Sequence, residues 1–186
     1  MARKTTRPKP KIAVFAGTFD PPTSGHMDII KRSRRLFDRL IVAVGRNPEK
    51  APFFTEAERV RMLRELTAGM DNVRVEAYPG LTMDFVRERG ASVIIKGIRD
   101  SSDLGSELQQ ANVNLLAGNV ETVFLLTSDQ HALTSSTLIR QVVEFGGDAE
   151  RLSRLVPPRV ARLLRARMRE RGGEPEKRGR LGEVPD

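Results

Sequence analysis

The sequence predicts a doubly wound α/β domain in which helices cover both faces of a five-stranded parallel sheet. Five short apolar runs are too apolar for strands that face water, and stretches with helical spacing separate them. The chain has 186 residues, which is enough for one domain with its own core. In such sheets ligands bind beyond the carboxyl ends of the strands, so chemistry is expected in the loops that follow them.

The strands are predicted from runs of valine, isoleucine and other apolar residues, which pack well when buried on both faces of a sheet. These runs lie at residues 12–16, 39–45, 72–78, 91–97 and 121–127. Crossovers between parallel neighbours are expected to be right-handed, with a helix in each.

Two helices are predicted between the first three strands. In the first, Met27, Ile30 and Phe37 fall near one face, with Ile29 and Leu36 beside them. The second has the motif "TEAERVRMLRELTAG", in which a threonine N-cap is followed three residues later by glutamate. Its cap residues and apolar stripe are Thr55, Glu58, Val60, Leu63 and Leu66.

Further helices are predicted after the last strand, around residues 136–145 and 148–154 and from Pro157 onward. The residues beyond Gly172 include almost no apolar side chain to bury, so this segment is expected to be disordered. We therefore expect a basic N-terminal arm at residues 1–10, one domain at residues 11–171 and a tail at residues 172–186.

Composition excludes several classes of function. The sequence has no cysteine, so disulfides, thiolate catalysis and cysteine-bound zinc are ruled out. It has no tryptophan and one tyrosine, which disfavours stacking platforms for single-stranded nucleic acid. No apolar run approaches the roughly 20 residues of a membrane span, and the basic N-terminus lacks the apolar segment of a secretory signal. A soluble, cytoplasmic protein without a membrane partner is expected.

The net charge of +8 is concentrated at the two ends of the chain. Residues 1–11 contain five basic and no acidic groups, and residues 159–186 contain nine basic and five acidic groups. The part between them is therefore nearly neutral, so we expect no specific nucleic-acid partner.

The loop "GTFDPPTSGH", residues 17–26, joins the first strand to the first helix. A helix N-terminus offers unpaired N–H groups and a partial positive charge, so this junction is a candidate anion site. Gly17 lets the backbone approach an anion, Thr18 offers a hydroxyl and an amide, and His26 would point its imidazole back at the ligand. The same residues also suit a plain turn and cap with His26 on the surface.

Three later loops carry further anion-binding side chains. Lys50 follows the second strand in "NPEK", and Lys96 and Arg99 flank a glycine in "KGIR" at the end of the fourth strand. Arginine holds two oxygens in a fork while lysine supplies a compact charge, so the pair suits a phosphate, although two surface salt bridges would give the same pattern. "HALTSSTL" offers a second cradle, suited to β- and γ-phosphates or to ordinary N-capping, with hydroxyls at Thr134, Ser135, Ser136 and Thr137.

No metal site is predicted, because His26 and His131 lack a third partner at the spacing of metal ligands.

These motifs resemble those of a known enzyme group. "GTFDPPTSGH" resembles the T/HxGH signature of the nucleotidylyltransferase superfamily, matching it at Thr18, Gly25 and His26. Over residues 11–168 the order of motifs is similar to that of the bacterial phosphopantetheine adenylyltransferases. The additional matching stretches are "NPEKAPFFTEAERVRML", "VIIKGIRDSSDLGSELQQANVN", "TSSTLIRQV" and "GGD".

The resemblance implies a Rossmann-like fold, a homohexamer and transfer of AMP from ATP, accompanied by Mg²⁺, to 4'-phosphopantetheine in coenzyme A biosynthesis. It implies catalytic roles for His26, Arg99 and Lys50. Acceptor binding would involve Thr18, Lys50, Leu81, Thr82 and Lys96. Nucleotide binding would involve Thr18, Phe19, His26, Gly97, Ile98, Arg99, Glu107, His131, Thr134, Ser135, Ser136 and Thr137.

Three other functions remain open from the sequence. A sister nucleotidylyltransferase would act on another phosphorylated acceptor, such as nicotinamide mononucleotide. A non-catalytic regulator would bind the nucleotide without turnover. A nucleic-acid-binding protein would use the two basic ends.

Overall fold

The parallel sheet positions the functional loops. A computed structural model of the chain describes residues 9–46, 51–128, 134–145 and 151–170. Five strands, all parallel, lie in the order β3-β2-β1-β4-β5. From β1 to β5 they span Ile12–Gly17, Arg39–Val44, Val73–Ala77, Val93–Ile98 and Glu121–Leu126. The predicted fold class and all five predicted strands are confirmed.

The strand order reverses next to β1. The chain builds outward from β1 to β2 and β3, and then returns to the other side of β1 with β4. Ala13 is in register with Val93, and Phe15 is in register with Ile95. The loops that follow β1 and β4 therefore diverge at the carboxyl edge and leave a crevice between them.

Six α-helices connect and cover the sheet within the described ranges. They are α1 Ser24–Ser33, α2 Glu56–Leu66, α3 Thr82–Glu88, α4 Ser101–Gly118, α5 Ser136–Glu144 and α6 Pro158–Glu170. A short 3₁₀ helix spans Arg151–Arg154, where part of the predicted helix at residues 148–154 lies outside the described residues. No helix in the described part of the chain is long and apolar enough to cross a bilayer.

The predicted division of the chain stays a prediction, since residues 1–8 and 171–186 lie outside the described residues.

The first helix is shorter than its apolar spacing predicts. It ends at Ser33, and the predicted extension to Phe37 is wrong. The side-chain amide of Asn72 donates to the carbonyl oxygens of Arg34, at 2.7 Å, and Phe37, at 3.2 Å, which holds this segment as a turn. Leu36 is consequently 58% exposed, whereas Phe37 reaches the core from the turn.

Both faces of the sheet are covered by apolar packing. Alternate strand residues such as Phe15 and Val42 pack with α1 and α2 on one face, while Val14 and Ile41 pack with α3 on the other. A third cluster joins α2 to α5 and α6, and it contains Phe53, Phe54, Met62, Ile139 and Leu164. This cluster fixes the start of α5 beside the loop after β1.

Candidate active site

Buried side chains hold the loop after β1 in one conformation. Phe19 has a φ of 49° and is 1% exposed, and its ring lies edge-on to Phe15, at 5.3 Å, and to the imidazole of His26, at 4.9 Å. The carboxylate of Asp20 accepts the backbone N–H groups of residues 53 and 54 at 2.7 and 2.9 Å. A positive φ is uncommon for a residue with a side chain, so aromatic packing and these bonds stabilise an unusual backbone.

The start of α5 is tied to the same loop. The hydroxyl of Ser136 donates to the carbonyl of Pro21 at 2.8 Å, and Arg140 donates to the carbonyl of Asp20 at 2.5 Å. Ser135 is the N-cap of α5, and its hydroxyl accepts a bond from the N–H of Leu138. The hydroxyl of Thr137 accepts a bond from Arg140 at 3.3 Å. At least three of the four predicted cradle hydroxyls therefore have structural bonds, and Ser135 has the N-cap role that the sequence left open.

His26 belongs to a capping box at the start of α1. The hydroxyl of the N-cap residue Thr23 accepts the N–H of His26 at 3.2 Å, and Nδ1 of His26 accepts the N–H of Thr23 at 3.0 Å. Glutamate or glutamine usually takes this third helical position. A backbone N–H can only donate, so Nδ1 carries no proton and the neutral ring has its proton on Nε2.

The environment of His26 keeps the imidazole neutral. Burial, and secondarily the positive charge of Arg99, lower the pKa of His26 from 6.5 to about 4. Protonation would also break the bond from Thr23, because both ring nitrogens would then be donors. Near neutral pH His26 therefore offers a fixed Nε2–H donor to the cavity that its ring lines.

The β4 side of the site is organised by ion pairs. Nζ of Lys96 lies 3.0 Å from Oε2 of Glu107, and the guanidinium of Arg99 makes two 2.7 Å bonds to the carboxylate of Asp103. The two carboxylates are four residues apart on α4 and so share one helix face. Hydrogen bonding to Asp103 raises the pKa of Arg99. The predicted salt bridges thus exist, yet both cations line the cavity.

A glycine allows α1 to lie close to β4. A Cβ atom on Gly97 would be only 3.0 Å from Cγ1 of Ile29, which is one turn after His26 on α1. Glycine at this position lets the helix and strand approach. The imidazole and the two cations therefore line the same crevice.

The crevice between β1 and β4 forms a cavity of about 270 Å³. It gathers most of the residues singled out in the sequence, as expected for the switch point of a doubly wound sheet. They are Thr18, Phe19, His26, Lys96, Gly97, Arg99, Glu107, Thr134, Ser135, Ser136 and Thr137. Lys50 and His131 lie outside the described residues.

Three predicted residues do not line this cavity. Leu81 is exposed in a separate groove after β3, and the hydroxyl of Thr82 lies 2.7 Å from that of Tyr78. The side chain of Ile98 is buried, and its carbonyl accepts the N–H of Thr127 at 2.9 Å. The roles of Leu81, Thr82 and Ile98 toward a ligand remain predictions.

Arg59 is a functional candidate that the sequence analysis missed. Its guanidinium is buried and donates to the carbonyl of Thr18 at 2.6 Å and of Gly45 at 3.1 Å, which joins the ends of β1 and β2. Arg59 lies four residues before Leu63, on the apolar face of α2. A charged residue within an apolar stripe was the available indication of a buried role.

Comparisons with known proteins identify the family and support the fold. Residues 14–142 match the model of the cytidylyltransferase-like family. A crystal structure from Vibrio parahaemolyticus, provisionally assigned as a nicotinate-nucleotide adenylyltransferase, has a TM-score of 0.56 and 20% identity, and the alignment covers 83% of this chain and 97% of that one. This structural similarity supports the doubly wound α/β fold of the chain.

Two curated relatives are much more similar in sequence. The phosphopantetheine adenylyltransferase of Alkalilimnicola ehrlichii is 52% identical over 84% of this chain and 90% of the relative. The phosphopantetheine adenylyltransferase of Thiobacillus denitrificans is 46% identical over 85% of this chain and 98% of the relative. The chain therefore belongs to the cytidylyltransferase-like family of nucleotidyltransferases and, within it, to the phosphopantetheine adenylyltransferases.

Proposed function

We propose that this enzyme transfers the adenylyl group of ATP to the phosphate of 4'-phosphopantetheine, which yields dephospho-coenzyme A and pyrophosphate. The observation that carries the proposal is the cavity at the β1–β4 crevice, where a neutral histidine donor, two cations and the start of α5 face one space. The names and high identity of the relatives support the choice of acceptor. We place this step of coenzyme A biosynthesis in the cytoplasm, where ATP is available.

The reaction requires alignment and charge stabilisation more than proton transfer. An anionic oxygen of the acceptor phosphate forms a bond to the α-phosphorus, and the bond from that phosphorus to the bridging oxygen breaks, so pyrophosphate leaves with the electron pair. Because the nucleophile is already anionic, no general base is needed. A pKa of about 4 fits His26 to this role, since a neutral donor does not compete for protons.

The residues divide into two groups around the α-phosphate. Nε2–H of His26 and the guanidinium of Arg99 stabilise the charge that develops on the phosphoryl oxygens, while Lys96 and the hydroxyl of Thr18 bind the acceptor phosphate. The N-terminal turn of α5 binds the β- and γ-phosphates through its backbone N–H groups and the hydroxyls near it. By resemblance, Lys50 completes the acceptor site and Glu107 contacts the nucleotide.

Mg²⁺ is proposed to arrive with ATP. Within the ranges that the structure describes, no cluster of three or more histidine, aspartate or glutamate side chains could hold a metal ion. An ion with few protein ligands is bound mainly by phosphates, as Mg²⁺ commonly is. When bound it would neutralise charge on the triphosphate.

Pyrophosphate release tests the acceptor directly. The full chain is incubated with Mg²⁺ and ATP, with either 4'-phosphopantetheine or nicotinamide mononucleotide as the acceptor. Release with phosphopantetheine alone is expected. Release only with nicotinamide mononucleotide would assign the sister reaction, and nucleotide binding without any release would assign a regulator.

Removal of residues 1–10 and 173–186 tests the nucleic-acid alternative. Turnover by the shortened chain is expected to match that of the full chain, because every residue that is given a role in the reaction lies between residues 18 and 137. A loss of turnover with intact folding would contradict this expectation.

We also propose that the chain assembles into a homo-oligomer, with a hexamer implied by resemblance. Apolar side chains are exposed along α4 and β5: Val113 is 51%, Leu116 87% and Leu126 69% exposed. Exposed apolar patches commonly mark protein interfaces. Light scattering should give a mass above that of one chain, and Leu116→Glu should lower it.

A further inference from the structure

A second cavity, of about 800 Å³, adjoins the candidate active site. Thr18, Ser136 and Thr137 line both spaces, so the start of α5 forms their common wall. The second cavity also presents three guanidinium groups, and we name it the arginine annex after them. These groups belong to Arg46, Arg59 and Arg140. None of these three arginines has a role in the proposed reaction.

The annex contains a buried positive charge that has no counterion among the described residues. Arg59 is 3% exposed, and both hydrogen bonds of its guanidinium go to carbonyl oxygens. Its Nε is buried without a hydrogen-bond partner. Among the described residues, no carboxylate lies within 4.0 Å of Arg46 or Arg59. A buried cation without a counterion is costly, so this position favours an anionic ligand.

The two carboxylates among the described residues of the annex leave most of this charge uncompensated. Asp20 accepts two backbone N–H groups, and one of its oxygens lies 3.8 Å from Arg140. Glu56 is exposed at the first position of α2. Neither carboxylate makes an ion pair with Arg59 or Arg46. The described residues of the annex therefore have a positive excess, and the exposed guanidinium of Arg46 is available to phosphate oxygens.

We propose that the arginine annex receives the terminal phosphates of the nucleotide and holds pyrophosphate after adenylyl transfer. The inference rests on the proposed function, because that function places a polyphosphate at the start of α5. Lys96, which is assigned to the acceptor phosphate, lines the active-site cavity and not the annex. A polyphosphate that passes Thr137 enters the annex, where several arginines can bind its many oxygens.

Charge reversal at Arg46 tests this assignment with little structural risk. Arg46 is exposed and has no hydrogen bond or ion pair to another described residue. Arg61→Glu is the matched control, because Arg61 is exposed on α2 and does not line the annex. Titration calorimetry of pyrophosphate into the full chain, without acceptor, should show about tenfold weaker binding for Arg46→Glu and under about twofold change for Arg61→Glu.

Reverse-reaction kinetics provide the second readout. Arg46→Glu should raise the KM for pyrophosphate by about tenfold and leave the KM for dephospho-coenzyme A unchanged. Arg46→Ala should show a smaller change in the same direction, and its thermal unfolding should match the wild type. Equal pyrophosphate affinity in Arg46→Glu, Arg61→Glu and the wild-type chain would overturn the annex.

These measurements distinguish a failure of the annex proposal from a failure of the proposed function. A wild-type chain that adenylylates phosphopantetheine while Arg46→Glu binds pyrophosphate normally rejects the annex alone. A wild-type chain that binds pyrophosphate in an Arg46-dependent manner but fails to use phosphopantetheine supports the annex and rejects the acceptor.

Discussion

The two sides of the cavity are organised by different physical means. On the β1 side, His26 is neutral and held by hydrogen bonds to Thr23 and by the buried ring of Phe19. On the β4 side, Lys96 and Arg99 are charged and held by carboxylates of α4. The first arrangement depends on burial, and the second depends on ion pairs that are partly exposed to solvent. The two sides should therefore respond differently to mutation, pH and salt.

The largest expected effect comes from removing the hydrogen-bond donor that His26 offers to the cavity while keeping an acceptor for the N–H of Thr23. Glutamate at this position can still accept the N–H of Thr23 but offers no donor to the cavity, so His26→Glu should lower kcat by at least roughly 10²-fold. Glutamine can accept that N–H and still donate from its amide, so His26→Gln should retain substantially more activity. Similar losses in both variants, with melting temperatures near that of the wild type, would contradict a fixed donor at Nε2.

The next effect is on the pH dependence of stability. The pKa of His26 is about 4 in the folded chain and 6.5 when unfolded, so the unfolded chain binds more protons between these values. The free energy of unfolding should therefore fall as pH decreases from 6.5 towards 4, with His26 contributing at most roughly 3 kcal/mol.

Urea titrations of wild type and His26→Gln at several pH values isolate this contribution, since other groups titrate equally in both. The difference between the two curves should be flat above pH 7 and should change between pH 6.5 and 4. A constant difference across that range would show that His26 is not held neutral by the fold.

On the β4 side, Asp103→Asn should loosen Arg99 without removing it. An amide oxygen can accept one of the two guanidinium bonds, so we expect about a tenfold decrease in kcat/KM for ATP. Asp28→Asn is the control, because it weakens an ion pair at the same spacing on α1, with Arg32, outside the cavity. A shallower dependence of kcat/KM on salt in Asp103→Asn, which lacks this ion pair, than in His26→Gln, which keeps it, would confirm the contrast between the two sides.

The smallest expected effect concerns the cap itself. Thr23→Ala removes the hydroxyl that accepts the N–H of His26, which should cost about 1 kcal/mol of stability. Thr23→Ser should restore most of this loss, because the hydroxyl is retained. Denaturant midpoints of the three chains provide the comparison, and a Ser variant as unstable as the Ala variant would argue for methyl packing instead.

Local sequence patterns predicted the elements whose partners are close in the chain. The N-cap at Thr55 is confirmed, with bonds of 3.3 and 2.8 Å exchanged with Glu58. The five strands were predictable because burial on both faces demands continuous apolar runs. The gathering of His26, Lys96 and Arg99 also followed from topology, since loops at the switch point of a parallel sheet must be neighbours.

Features that depend on distant contacts could not be predicted. The early end of α1 depends on Asn72, which binds carbonyls more than thirty residues earlier in the chain. The capping box at Thr23 was missed because its third position carries histidine instead of glutamate or glutamine. The position of Arg59 in the apolar stripe of α2 indicates burial, but its bond to the carbonyl of Thr18 depends on the fold.

Residues near the carboxyl end of the described chain hold the loop after β1 in place through hydrogen bonds. Ser136 and Arg140 bind the carbonyls of residues 21 and 20, and the carbonyl of Leu155 accepts the N–H of Ser24 at 2.9 Å. A ribosome releases the amino end first, so a nascent chain that stops before Ser136 contains the whole sheet and none of these bonds. The loop after β1 should thus reach its final conformation only after synthesis has passed Leu155.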